Sequence, residues 1–455
     1  MHGSERLACF KAYDIRGKVP EELDTELAYG IGRGFSAVTG AERVCVGRDA
    51  RLSGLDISGA LVAGLRDAGV DVVDIGVCGT EEIYFATSYF DLDGGIVVTA
   101  SHNPQDYNGM KLVRRDSKPI SSDSGLDEIE QITRTKAWSQ SVLTAGSLGV
   151  LDHREAYIQH LLSQVDTQSL RPLKIVCNAG HGVAGPVMDQ LARSLPFEIE
   201  RLQWQPDGSF PEGVPNPLLP ECREVTRRAV IERGADFGIA WDGDFDRCFF
   251  FDSDGRFIEG YYIVGLIAEA MLVKTPGAKI IHDPRLTWNT VDVVAGAGGI
   301  PIMTKTGHAF IKERMRLEDA LYGGEMSAHH YFRDFFYCDS GMLPWLMVAE
   351  LMCRKKQTLA QLVDASLAAY PCSGELNFRV KDASVVLAAL RAEYSDDDNT
   401  DFTDGLSVEL EGWRFNVRAS NTEPLLRLNV ESRAQEVLMQ DRTRELSDFI
   451  KRFAA

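Results

Sequence analysis

Arg43-Val44-Cys45-Val46-Gly47-Arg48-Asp49 sets a pattern that returns twice along the chain. A basic residue precedes a short β-branched run, a polar loop follows, and a helical stretch leads to a second apolar strand, Val72-Val73-Asp74-Ile75. The second copy runs from Lys174-Ile175-Val176-Cys177 through Gly180-His181-Gly182 to Phe197-Glu198-Ile199. The third runs from Lys279-Ile280-Ile281-His282 through Asp283-Pro284-Arg285 to Ile300-Pro301-Ile302. Strand, crossover helix, strand is the mark of a parallel α/β unit, because parallel neighbours cannot be joined by a tight turn. Three copies predict three topologically similar mixed α/β domains.

The last ~90 residues read differently. Leu406-Ser407-Val408-Glu409-Leu410, Trp413 to Arg418 and Leu426-Arg427-Leu428-Asn429-Val430 alternate apolar and polar side chains, as half-buried antiparallel strands do. A terminal helix is expected over 434–453, completing a smaller C-terminal α+β domain. Linkers placed near Asp152, Asp254 and Pro371 divide the chain into 1–152, 153–254, 255–370 and 371–455.

The 455 residues exceed one ordinary core, and 44% hydrophobic with 25% charged residues is globular composition. No apolar run approaches the ~18 residues that span a bilayer, and the N-terminus lacks the pattern of a secretory signal. No membrane association and a cytoplasmic location are expected. The nine cysteines are odd in number and never spaced C-x-x-C, so they read as buried thiols. A net charge of −19 disfavours nucleic acid as a partner, which draws affinity from basic surface.

Chemistry-bearing residues gather in four loops. In Gly94 to Pro104 a β-branched strand runs into Thr99-Ala100-Ser101-His102-Asn103-Pro104, which places Ser101 at a strand's carboxyl end, where open α/β sheets bind ligands. A serine alone is a weak nucleophile, and the same residues also suit a helix cap. Downstream, Lys111 offers an ammonium for phosphate or for proton movement, though a lone lysine also suits solvated surface. In Trp241-Asp242-Gly243-Asp244-Phe245-Asp246-Arg247, three carboxylates at alternate positions repel one another unless a hard cation sits among them, and oxygen ligands imply Mg²⁺. An EF-hand needs glycine where Arg247 stands; an aspartyl phosphatase or a solvated turn are the other readings of this loop.

Glu325-Met326-Ser327-Ala328-His329-His330 forms the third loop. Read as extended, it projects Glu325 and Ser327 to one side, suiting adjacent sugar hydroxyls, while His329 can reach phosphate or carry a proton. Neither Cys nor a third His lies at zinc-ligand spacing nearby. The fourth loop, Arg418-Ala419-Ser420-Asn421-Thr422-Glu423-Pro424, offers a guanidinium, hydroxyls, an amide and backbone N–H groups to a phosphate dianion, with Arg427 as a second positive charge. A hairpin loop rich in turn formers is the plain alternative. Phosphate monoesters are among the slowest substrates known, needing acceleration of up to ~10²¹-fold, so a serine loop without cations would not suffice.

Together the four loops resemble the α-D-phosphohexomutase superfamily over essentially the whole chain. Thr99 to Pro104 is similar to its serine loop, Asp242 to Arg247 to its metal loop and Arg418 to Pro424 to its phosphate loop. Glu325 to His329 and Phe10-Lys11-Ala12-Tyr13-Asp14-Ile15-Arg16-Gly17 resemble the phosphomannomutase/phosphoglucomutase subgroup. The resemblance implies four domains around a central cleft, a phosphoserine at Ser101, and Mg²⁺ held by Asp242, Asp244, Asp246 and the seryl phosphate. It implies interconversion of mannose 6-phosphate and mannose 1-phosphate, with glucose phosphates the alternative, through a bisphosphate that turns end over end. A hexose 1,6-bisphosphate would act as activator. Such an enzyme would be a monomer or weak homodimer and would supply mannose 1-phosphate to GDP-mannose and polysaccharide synthesis.

By motif position the resemblance places Tyr13 and Arg16 at the cleft, His102 and Lys111 in proton transfer, Arg247 near the metal, and Lys305 and His308 on substrate. His181 stands where asparagine is expected, in a region that is usually structural. A hydrolase or a catalytically silent sugar-phosphate binder are the other classes. The Arg418 to Pro424 cradle is redundant for simple hydrolysis, and intact Ser101, Asp242, Asp244, Asp246 and Lys111 speak against a silent binder.

Overall fold

The computed structural model describes residues 6–138, 144–394, 398–419 and 425–454. The chain forms two compact units, one of residues 1–257 with 334–355 and the other of 258–333 with 356–455. Three sheets carry the same four-strand core, built as the sequence copies predict.

In the first unit, Arg43–Arg48 pairs parallel with Asp71–Val77 on one side and Gly94–Val98 on the other. Gly94–Val98 then pairs antiparallel with Tyr107–Arg114, whose outer neighbour is Ile15–Lys18. The second sheet repeats this order: Lys174–Asn178 lies between Glu198–Leu202 and Phe237–Trp241, all parallel, with Cys248–Asp252 antiparallel to the last. In the second unit, Lys279–His282 lies between Ile300–Met303 and Tyr322–Gly324, and His330–Phe332 closes the order antiparallel. The central strands are buried along their length, which is why their sequences are apolar without alternation.

Crossover helices such as Gly54–Asp67 join the parallel strands. The neighbouring helix Thr25–Thr39 begins where the Asp24 carboxylate accepts from Leu27 N at 2.8 Å, and it ends at Gly40 in the left-handed conformation.

The C-terminal sheet runs Leu376–Phe378, Leu426–Ser432, Trp413–Ala419, Leu406–Leu410 and Thr400–Asp401, antiparallel throughout. Val408 faces Phe415 and Val417 faces Leu428 across the strands, and these pack with Leu446 and Ile450 of the helix Glu436–Lys451. The expectation of half-buried strands needs correcting for Trp413–Ala419. Its polar face, carrying Arg414, Asn416 and Arg418, is buried as well. Arg414 donates to the carbonyls of Pro284 and Arg285 at 2.9 and 3.1 Å, so the polar face holds the loop after Lys279–His282.

No disulfide joins the cysteines among the described residues; seven are buried, while Cys222 and Cys372 are half-buried. Among the described residues no helix is long and apolar enough to cross a membrane.

Candidate active site

Three of the four loops singled out in the sequence occupy one position in the repeated core, the connection from the third strand to the antiparallel fourth. They are 99–106 after Gly94–Val98, 242–247 after Phe237–Trp241, and 325–329 after Tyr322–Gly324.

Ser101 is buried with φ of 49°, a left-handed conformation uncommon for serine. Two contacts hold it: Ser101 N donates to Thr99 Oγ1 at 2.9 Å, and Arg51 donates to Ser101 O at 2.9 Å. Arg51 also donates to the carbonyls of Asn103, Pro104 and Tyr107 at 2.6, 2.7 and 2.8 Å. One guanidinium therefore fixes the whole serine loop. Asp49 opposes the Arg51 charge and accepts the Thr99 hydroxyl at 2.7 Å.

Ser101 Oγ donates to Asp242 Oδ2 at 2.7 Å and lies 3.1 Å from His102 Nδ1. The two loops approach so closely that a Cβ on Gly243 would stand 2.9 Å from Ser101 O. Lys111 reaches Asp244 Oδ2 at 2.9 Å and also bonds Asp246. Burial opposes the Lys111 charge, but Asp244 and Asp246 outweigh it and hold the ammonium above its ordinary range. Lys111 thus lies as an ammonium between two carboxylates of the triad. Arg16 donates to Asp14 Oδ2 and to Asn103 Oδ1, both at 2.7 Å, while Arg247 Nε lies 3.7 Å from Asp242.

Asp242, Asp244 and Asp246 place ligand oxygens within 4.8 Å of one another. Asp242 Oδ1 and Asp244 Oδ1 are buried without a hydrogen-bond partner among the described residues. Burial, followed by the charges of Asp246 and Asp244, pushes the Asp242 carboxyl up to about 7. Asp244 is buried too, yet Lys111 and the Thr80 hydroxyl hold it below the usual carboxylate range. Orphaned carboxylate oxygens in a buried triad fit a hard divalent cation, whose charge would offset both the burial and the mutual repulsion that raise Asp242.

In the second unit the loop 325–329 is a tight turn and not the extended segment expected: Ala328 N donates to Glu325 O at 3.1 Å, and Ala328 has φ of 69°. Glu325 and Ser327 still converge, because Arg285 donates to Glu325 Oε1 and Ser327 Oγ, each at 3.2 Å. Asp283 fixes Arg285 through two contacts of 2.9 Å. Glu325 also accepts from Tyr331 at 2.6 Å. His329 is buried and stacks on Tyr331 at 6.0 Å between ring centroids. Lys305 Nζ lies 3.5 Å from the Phe310 ring centroid, and His308 Nδ1 lies 3.5 Å from Lys312 Nζ. Arg418 and Arg427 both meet Glu375, at 3.3 and 3.2 Å. Tyr13 is half-buried. Ser420, Asn421 and Thr422 lie outside the described residues.

Models of the phosphoglucomutase/phosphomannomutase family match the chain in four segments. Alpha/beta/alpha domains I, II and III match residues 8–140, 155–255 and 259–370, and the C-terminal domain matches 375–446. The chain belongs to this family. A phosphomannomutase of Salmonella typhimurium is 58% identical over 448 residues, covering 97% of this chain and 98% of the relative. A relative from Xanthomonas campestris named phosphohexose mutases is 56% identical over 446 residues, covering 98% and 99%. A solved phosphoglucomutase/phosphomannomutase family protein of Burkholderia thailandensis superposes with a TM-score of 0.87 at 36% identity over 98% of each chain. The enzyme is an isomerase of the phosphomutase type, as its phosphomannomutase relatives and family domains indicate.

Within this family framework, several site residues escaped the sequence reading. Arg51, Arg285, Asp49 and Glu375 organise the loops, and Thr80 binds Asp244 through both its hydroxyl and its N–H. The Asp-x-Arg spacing of Asp49 to Arg51 and of Asp283 to Arg285, after corresponding strands, was the available signal. His181, the departure from pattern, has φ of 57° and lies 2.5 Å from Glu212, with Nδ1 3.1 Å from Gln205 O.

Proposed function

We propose that the chain interconverts mannose 6-phosphate and mannose 1-phosphate through a phosphorylated Ser101. The observation that carries this reading is Ser101 Oγ seated 2.7 Å from the buried triad residue Asp242. Near-full-length identity of 55–58% to phosphomannomutases supports the substrate class.

Asp242, Asp244 and Asp246 would hold Mg²⁺ together with the seryl oxygen or its phosphate. An ion held there would supply positive charge to offset that of the transferring phosphoryl group. Lys111, Arg247 and Arg16 add fixed positive charge to the same step, while Arg51 keeps the nucleophile's loop rigid. In the first transfer the Oγ–P bond of phosphoserine breaks and a sugar hydroxyl oxygen bonds to phosphorus. The hydroxyl proton passes to a base, a role suited to His329. The bisphosphate turns end over end, and Ser101 Oγ then accepts the other phosphoryl group while a proton returns to the vacated sugar oxygen. His102, beside Oγ, suits proton movement at the serine end.

Glu325 and Ser327 would grip sugar hydroxyls; Lys305, His308, Tyr13, Arg418, Ser420, Asn421, Thr422 and Arg427 would complete substrate binding. A hexose 1,6-bisphosphate would rephosphorylate Ser101 when the intermediate escapes. A cytoplasmic role supplying mannose 1-phosphate for GDP-mannose fits this chemistry. The broader name of the Xanthomonas relative favours a second reading in which glucose phosphates are also substrates.

The test is kcat/KM for mannose 1-phosphate and glucose 1-phosphate side by side, with Mg²⁺ and hexose 1,6-bisphosphate. A strong mannose preference is expected, near equality would assign both sugars, and failure on both would overturn the mutase reading.

A further inference from the structure

Arg418 and Arg427 stand directly opposite each other on adjacent antiparallel strands. Like charges in that relationship are destabilising and demand a shared counter-anion, the more so with Arg418 buried. Glu375 supplies it: Oε2 meets Arg418 at 3.3 Å and Arg285 at 3.4 Å, and Oε1 meets Arg427 at 3.2 Å. The Glu375 side chain is 14% exposed. One carboxylate thus sits where three guanidinium groups converge.

These contacts are long for charge-assisted hydrogen bonds, which settle near 2.7–2.9 Å. The same Arg285 bonds Asp283 at 2.9 Å through two nitrogens, so its fork is already committed and Glu375 is the looser partner. A phosphate dianion carries about twice the charge of a carboxylate and three acceptor oxygens, and would outcompete it for Arg418 and Arg427.

We propose that Glu375 is a tethered stand-in for the substrate's phosphate, holding the arginine cradle together when it is empty, leaving it when phosphate binds, and returning as phosphate departs. The inference rests on the mutase reading above and adds a reason for the carboxylate. A mutase that turns its bisphosphate end over end must let each phosphate go once per cycle. Guanidinium groups without Glu375 beside them would hold it longer, whereas Glu375 competes for the same donors and limits the affinity.

The experiment compares wild type with Glu375→Gln and Glu375→Asp. The dissociation constants for mannose 6-phosphate and for inorganic phosphate are measured by calorimetry, and kcat and KM are measured in the same buffer. Glu375→Gln is expected to bind both anions about tenfold more tightly and to lose about tenfold in kcat, with Glu375→Asp between it and wild type. A folded Glu375→Gln that binds as wild type does, or more weakly, would overturn the proposal and make Glu375 an organiser of the cradle. If Glu375→Gln does not fold, the aspartate variant decides on the same criterion. Because inorganic phosphate reads the cradle without turnover, this outcome is separable from failure of the mutase reading, which would appear as wild type inactive on every hexose phosphate.

Discussion

Ser101 Oγ donates a 2.7 Å hydrogen bond to Asp242 Oδ2, joining the third-to-fourth-strand loop of the first repeat to the equivalent loop of the second. Repetition explains the economy of this arrangement. One sheet topology presents the same connection each time, and each copy fills it with different side chains: the Ser101 hydroxyl, three carboxylates, or Glu325 and Ser327 gathered on Arg285. Ser101 meets the aspartate triad because the strand ends that carry them are equivalent, at the carboxyl ends where open sheets place their ligand sites.

Ser101→Ala should keep its fold. The change removes one buried hydrogen bond, costing about 1 kcal/mol, while the contacts of Arg51 to the loop carbonyls remain. On the phosphoserine reading turnover should fall by at least ~10³-fold, since alanine lacks the oxygen that would carry the phosphoryl group. Activity assays beside circular dichroism check both halves, and full activity in the variant would end the phosphoserine proposal.

Chelation should abolish activity and Mg²⁺ should restore it. The buried triad with its orphaned Asp242 Oδ1 and Asp244 Oδ1 gains a partner when the cation binds, so Mg²⁺ should also raise the thermal midpoint by a few degrees. Absence of that rise in Asp244→Asn, set beside wild type, would tie the effect to this site.

Thr80 is expected to position the metal loop. Its hydroxyl bonds Asp244 Oδ2, its N–H donates to Asp244 O at 3.1 Å, and a Cβ at neighbouring Gly79 would stand 2.1 Å from the Phe245 ring. Next to it Glu81 accepts from Gly341 N and Met342 N, while Gly341 O accepts from Trp241 Nε1 at 2.9 Å, so one helix start braces the loop from several sides. Thr80→Val should raise the Mg²⁺ requirement or lower kcat by about 10–100-fold, and Thr80→Ser should rescue it. A Mg²⁺ titration of both variants separates positioning from a general loss of fold.

The placement of Ser101, of Asp242 to Asp246 and of Glu325 at strand ends was legible because these residues lie in contiguous runs directly after apolar strands. The three-fold repeat was legible because the same strand-helix-strand pattern recurs from Arg43, Lys174 and Lys279. Arg51 and Glu81 were not. Their partners lie some 50 and 260 residues away: a lone Glu in sequence is indistinguishable from solvated surface, and the Asp-x-Arg spacing at Arg51 marks the residue without showing what it binds. The turn at Glu325 to Ala328 was misread as extended because no glycine or proline marks it; Ala328 adopts positive φ instead.

Arg51→Lys should destabilise the first unit by about 3 kcal/mol or more. Arg51 satisfies four loop carbonyls and opposes buried Asp49, and an ammonium has too few donors in too small a spread to do both. Thermal unfolding with and without Mg²⁺ measures the loss, and a midpoint unchanged from wild type would show that the loop does not depend on this guanidinium.

Acid should weaken the fold through His330. Burial, with His329 adding to it, pushes its imidazole down to about 3, and the neutral ring pairs with Tyr322 Oη at 2.6 Å. Because the folded value lies below the unfolded one near 6.5, the unfolded chain binds the extra proton. The stability that the neutral ring confers is therefore complete above about pH 6.5 and declines as pH falls from there toward 3. Between pH 7 and 5 the loss from this group should reach about 2 kcal/mol. His282 and His160 are also held low by burial and add in the same direction, so the comparison must be made against a variant. His330→Gln keeps an acceptor for Tyr322 but cannot titrate, and its urea midpoint should fall less than that of wild type over the same interval. An identical fall in both proteins would mean that His330 takes up no proton on unfolding.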